Sequence, residues 1–138
     1  MKTHVVFALC LVVAGVLAGG CQSTPTKGHG AEGWATQIAG TYKGGMWGGE
    51  TKYPGTTTFS VGANGALKGT YELDENGTAV PGKLSNCRVV GPRQLACRWE
   101  DKNGAGDLAI TFTENLSQFD GFWTLDGDPQ KHRWNGTR

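Results

Sequence analysis

Ala63-Asn64-Gly65-Ala66-Leu67-Lys68-Gly69-Thr70-Tyr71-Glu72-Leu73 is a turn followed by a two-residue alternation. Leu67, Gly69, Tyr71 and Leu73 fall on one face, and Lys68, Thr70 and Glu72 on the other. That pattern belongs to a strand with one buried and one solvated face. Asn-Gly in the turn lets a type I turn with Gly65 in the left-handed region set Val61 opposite Leu67, and Phe59 opposite Gly69. A large ring beside a glycine suits a curved, crowded interior.

The same grammar runs outward in both directions. Leu95, Cys97 and Trp99 alternate with Ala96, Arg98 and Glu100, and Leu108, Ile110 and Phe112 alternate with Asp107, Ala109 and Thr111. Hardly a window beyond Trp34 has helical periodicity. Strands are expected near 39–46, 55–62, 66–74, 79–90, 94–101, 106–113, 118–125 and 131–137. Between 74 and 79, a three-residue turn at Glu75-Asn76-Gly77 keeps Tyr71 and Cys87 on one face without a bulge; a two-residue Asn76-Gly77 turn pairs differently. Later turns fall at 101–105, 114–117 and 127–130.

Eight strands joined by short turns imply an all-β, antiparallel up-and-down barrel, closed by pairing the Tyr42 strand with the Trp134 strand. A two-sheet sandwich is the alternative, but no long Greek-key connection is evident. A membrane-embedded barrel would need an outward apolar band. The outward positions here carry Lys68, Glu72, Arg98, Asp107 and Asp120, which argues against it.

The leader has a different composition. A short positive start (Met1-Lys2-Thr3-His4) precedes an almost unbroken apolar run over residues 5–16, then Leu17-Ala18-Gly19-Gly20-Cys21. The run is too short for a bilayer of ~30 Å, which needs about 20 residues. Charge, apolar run and small residues read together as a secretory signal, residues 1–20. LAGGC resembles the bacterial lipobox, with its leucine one place further upstream than usual. The resemblance implies a diacylglycerol on Cys21, membrane attachment through that lipid, and, with Gln22 rather than Asp next, residence at the outer membrane. Acyl chains contribute about 0.8 kcal/mol per buried methylene. Residues 21–33, small, polar and Gly/Pro-bearing, read as a lipidated tether, and residues 34–138 as the barrel domain.

With Cys10 in the leader and Cys21 lipidated, Cys87 and Cys97 remain, and an exported chain favours their disulfide. They flank a Gly-Pro turn. A three-residue loop at 91–93 sets Val90 opposite Gln94, Val89 opposite Leu95, and Cys87 opposite Cys97. A two-residue loop slips the register and faces Cys87 with Arg98 instead. Two sulfurs ten residues apart without partner ligands do not suggest zinc.

Twenty of the 23 glycines lie beyond the signal, well above the usual ~7%. Without Lys2, the 13 Lys and Arg fall level with the 12 Asp and Glu, and no basic stripe suggests nucleic acid. No metal or cofactor is expected. The stretches at Asp74, Asp101 and Asp126 echo calcium loops without a complete ligand set and read as turns. His29, His132 and Ser85 join no catalytic set, so a non-catalytic role is expected. The Asn76, Asn115 and Asn135 sequons are incidental in a bacterial lipoprotein.

The inward face should hold Phe59, Tyr71, Trp99, Phe112, Phe119, Trp123 and Trp134. Such rings can fill an eight-stranded barrel or wall a pocket for one small ligand. Tyr71, Trp99, Trp123 and Trp134 are therefore the candidate ligand-binding residues. Trp47, in a glycine-rich stretch with Met46 that reads as a mobile contact loop, is a further candidate. Gly40-Thr41-Tyr42 and the 63–72 hairpin resemble the first strand and second hairpin of avidin-type barrels. In that family the tyrosine matching Tyr71 contacts biotin, while a ligand-binding serine usually stands where Leu73 is here. The resemblance implies the fold more than the ligand. The expected partner is a small hydrophobic or aromatic ligand, or an envelope protein such as a protease or lysozyme.

Overall fold

A computed structural model describes residues 33–138. The signal, Cys21 and all of the tether except Gly33 lie outside the described residues. Eight antiparallel strands close in sequence order into an up-and-down barrel. They are β1 (Gly40–Gly48), β2 (Thr51–Val61), β3 (Leu67–Glu75), β4 (Thr78–Gly91), β5 (Gln94–Asp101), β6 (Gly104–Phe112), β7 (Gln118–Leu125) and β8 (Asp128–Thr137). Closure is by β1 on β8, the Tyr42 and Trp134 strands, so neither is left as an edge. No helix among the described residues is long and apolar enough to cross a membrane.

The β2–β3 hairpin is as expected: Phe59 faces Gly69, Val61 faces Leu67, and Gly65 has φ +78°. Leu73, Tyr71 and Gly69 are buried, while Lys68, Thr70 and Glu72 are exposed. Asp107 and Asp120 also point outward.

The turn expected at 127–130 lies at 126–127, so β8 starts earlier than expected, and the two turns that bound β4 also differ from expectation. Asn76 and Gly77 form a two-residue turn with both φ positive, pairing Glu75 with Thr78. Pro92 and Arg93 form another, pairing Gly91 with Gln94 rather than Val90 with Gln94. Each slips the ladder by one residue relative to a three-residue turn, and bulges in β4 then return Cys87 and Val89 to the inward face. Around Val90 the register shifts so that Val89 faces Leu95 and Arg88 faces Ala96. Around Asn86, at φ +50°, it shifts again, so that Leu84 faces Trp99 and Leu67 faces Cys87. Cys87 thereby meets Cys97, and the disulfide forms. A bulge adds one residue to one strand, so a tight turn plus a bulge can give the same pairing as a looser turn. Val90, displaced from the pleat, is left 51% exposed.

The two ends of the barrel differ. A 3-10 turn, η1 (Ala35–Ile38), plugs the end where β1 begins, with Ile38 fully buried. Beneath it Tyr42, Phe59, Phe112 and Phe119 meet with ring centroids 5.5–5.9 Å apart. Tilted and edge-on pairs of this kind add about 0.5–1.5 kcal/mol each beyond their buried area. The Tyr42 hydroxyl donates toward the carbonyls of Leu116, at 3.0 Å, and Ile38, at 3.3 Å. Burial pushes its pKa up, with the Arg138 guanidinium opposing. Arg138 lies over the Tyr42 ring and donates to the carbonyls of Ala39 and Gln37, holding the plug against the barrel.

The opposite end carries four two-residue turns, at 49–50, 76–77, 102–103 and 126–127, and no plug among the described residues. This end is the mouth.

Candidate functional site

Between plug and mouth the barrel is filled by Tyr71 and Trp134. Their rings meet edge-on at 4.8 Å, and both are buried. Each has its polar atom satisfied, as burial demands. Trp134 donates its indole N–H to the buried Thr57 hydroxyl at 3.0 Å. The Tyr71 hydroxyl donates to Asp101 Oδ2 at 2.8 Å. Burial first, then the Asp101 carboxylate, drive the Tyr71 pKa far above its ordinary value, so the phenol stays protonated. Gly82 sits opposite Tyr71 on β4, and a Cβ there would overlap the ring. The glycine is what lets the tyrosine lie flat against the wall.

Above this layer a cavity of about 140 Å³ opens at the mouth. Buried Met46, Leu73 and Trp99 and half-buried Tyr53 and Trp123 give its apolar lining. Glu75, Asp101 and Asn103 form the polar part of the lining. Trp99 and Trp123 meet edge-on at 5.2 Å. Trp99 is fixed by its indole N–H bond to the Thr124 carbonyl at 2.9 Å, across Gly106, where any Cβ would strike both groups.

Three acceptor bonds fix the two carboxylates as well. Asp101 Oδ1 accepts from the Asn103 amide at 2.7 Å in an Asx turn, while Oδ2 holds Tyr71. Glu75 Oε1 accepts from the Asn103 side chain at 2.6 Å, and Lys102 Nζ lies 3.1 Å from Oε2. The rim is thus braced between the β3–β4 and β5–β6 turns.

Of the sequence-predicted ligand residues, Trp99 and Trp123 line this cavity. Tyr71 and Trp134 belong to the packed layer below it. Trp47 is on the outer wall, and the expectation of a mobile loop around it is corrected: β1 runs unbroken to Gly48 and pairs with β2 through Thr51. Alternation then buries Met46 and turns Trp47 outward, where Lys52 Nζ and the Arg133 guanidinium lie 5.1 and 5.3 Å from its ring centroid. Gly44 and Gly45 are within the strand because neighbouring backbone occupies the space of a side chain there.

Tyr53, Met46, Glu75 and Asp101 escaped the sequence reading as site residues. Tyr53 lies in the stretch taken as loop, yet it pairs with Met46 and so shares its face. The carboxylates read as turn residues, which they also are. Larger depressions of about 470 and 350 Å³ exist, but they are open grooves on the outer wall. The chain matches no family model, no curated protein and no solved structure.

Proposed function

We propose that this protein is a lipoprotein anchored at the bacterial outer membrane through Cys21, with a non-catalytic barrel that binds a small ligand in its mouth. The observation that carries the binding reading is the aromatic cavity between Trp99 and Trp123. It is concave and mostly apolar, with a few polar groups held in place, which is the usual make-up of a small-molecule site. The preorganised rim supports binding because little side-chain freedom remains to be lost there.

The anchor reading rests on the LAGGC resemblance and the signal-like leader. The geometry is compatible with it: Gly33 and η1 lie at the plugged end, so a tether leaving there keeps the mouth away from its attachment. A second reading, a barrel acting only through its surface as an envelope structural protein or an inhibitor of a protease or lysozyme, is favoured by the packed Tyr71–Trp134 layer. It is also favoured by exposed Val90 and Phe122 beside an outer groove.

Native mass spectrometry of the protein purified from the envelope separates the two. A carried small molecule, lost in Trp123→Ala, supports the mouth; a clean apo mass that no metabolite extract shifts supports the surface. For the anchor, radioactive palmitate should label the wild type and not Cys21→Ala. Equal labelling of both would remove Cys21 as the lipid site.

A further inference from the structure

We infer that the mouth selects a cation: a small organic ammonium whose carbon framework is no larger than one six-membered ring with a one-carbon arm. The inference rests on the reading of the mouth as a ligand site and adds the chemical class of what enters it.

Size sets the first limit. A dry apolar cavity of about 150 Å³ holds benzene, while a single water takes about 30 Å³ of liquid. The mouth, at about 140 Å³, therefore fits one ring or a short branched alkyl group, and excludes fatty acyl chains and fused ring systems.

Charge sets the second. The ionisable lining groups are Glu75, Asp101 and the phenol of Tyr53; no Lys, Arg or His among the described residues lines the cavity. The Asn103 amide and side chain and the Tyr71 hydroxyl all donate to these carboxylates, which fixes their oxygens at the rim. Lys102 offsets part of this charge from outside, held at Glu75 with its side chain 55% exposed. Each carboxylate retains acceptor capacity, since an ionised carboxylate accepts about four bonds.

The lining supplies the third. Two indoles and a phenol present π-systems whose faces attract cations, and the Met46 thioether adds a polarisable contact. An anion would meet two fixed negative charges, while the indole N–H groups of Trp99 and Trp123 and the N–H groups of Asn103 already donate within the protein. A neutral ring would fill the apolar part and leave the carboxylates unused.

Three probes of one size separate these cases: benzylamine, benzyl alcohol and benzoate, titrated into the purified protein at neutral pH. Indole N–H signals of Trp99 and Trp123 in NMR spectra report binding at the mouth. Benzylamine should bind at least about tenfold more tightly than benzyl alcohol, a difference of about 1.4 kcal/mol, and benzoate more weakly than either. Asp101→Asn and Glu75→Gln should each weaken benzylamine about threefold and leave benzyl alcohol unchanged. Using both guards against one variant disturbing the fold. Equal or tighter binding of benzyl alcohol at the same indole signals overturns the charge preference and leaves the mouth as a site. Failure of all three probes to move those signals overturns both.

Discussion

The indole N–H of Trp123, on β7, donates to the main-chain carbonyl of Trp47, on β1, at 3.0 Å, although β8 lies between these strands. Pairing of β1 with β8 runs only from Lys43 opposite Thr137 to Met46 opposite Trp134, while β1 continues to Gly48. Beyond Met46 the seam is held by side chains. His132 Nδ1 accepts from the Gly49 amide at 3.3 Å, and its ring stacks on Trp123 at 4.5 Å. One tryptophan thus lines the cavity and also closes the barrel beside it.

Trp123→Phe keeps an aromatic surface and removes the donor. A net hydrogen bond is worth about 1 kcal/mol, so stability should fall by about that amount. Amide exchange should quicken at Trp47, Gly48 and Gly49 and stay unchanged at Tyr42 near the plug. A uniform acceleration over the barrel would show that the bond is not a local fastener.

The two buried phenols make the protein alkali-sensitive. Tyr42 and Tyr71 both have raised pKa values in the fold, so the folded chain keeps protons that the unfolded chain loses near pH 10. Their contribution is fully present below that pH and is lost progressively as pH rises from it toward the raised folded-state values, because over that range the unfolded state binds fewer protons. Denaturant midpoints should fall from about pH 10 upward, and Tyr71→Phe should flatten the decline. An identical pH profile in the variant would show that Tyr71 is not one of the groups responsible.

Cys87 and Cys97 close a short loop across β4 and β5. Opening such a loop should cost about 2–3 kcal/mol, measured as the difference in unfolding free energy between wild type and Cys97→Ala. Without reductant, the wild type should show neither cysteine alkylated in mass spectrometry.

Gly82→Ala should destabilise by about 1–3 kcal/mol, the usual cost of forcing atoms into a filled core, because the new methyl meets the Tyr71 ring. In a Tyr71→Leu background most of that cost should vanish, since residues in contact do not contribute additively. Simple additivity in the double variant would place the strain elsewhere.

Most of the barrel was legible from alternation and turn residues. The faces of β3, β5 and β6, the 61–67 hairpin, the β1–β8 closure and the cysteine pair all follow from period-two burial plus chemistry. The turns at 76–77 and 92–93 were not legible, because a tight turn with a bulge puts the same residues on the inward face as a longer turn without one. The β1–β2 hairpin was hidden by glycines that read as loop but accommodate close backbone. The plug was hidden because four residues of 3-10 turn are too few to show a period.

The sequence by itself determined the all-β class, the strand number, the inward aromatics and the covalent link between β4 and β5. Alternation and turn chemistry are local, and closure follows once eight such strands are counted. Only the tertiary structure decided which aromatics fill the barrel and which wall a cavity. That choice depends on height along the barrel axis, set by strand stagger and bulges, and places Tyr71 with Trp134 in the packing and Trp99 with Trp123 at the mouth.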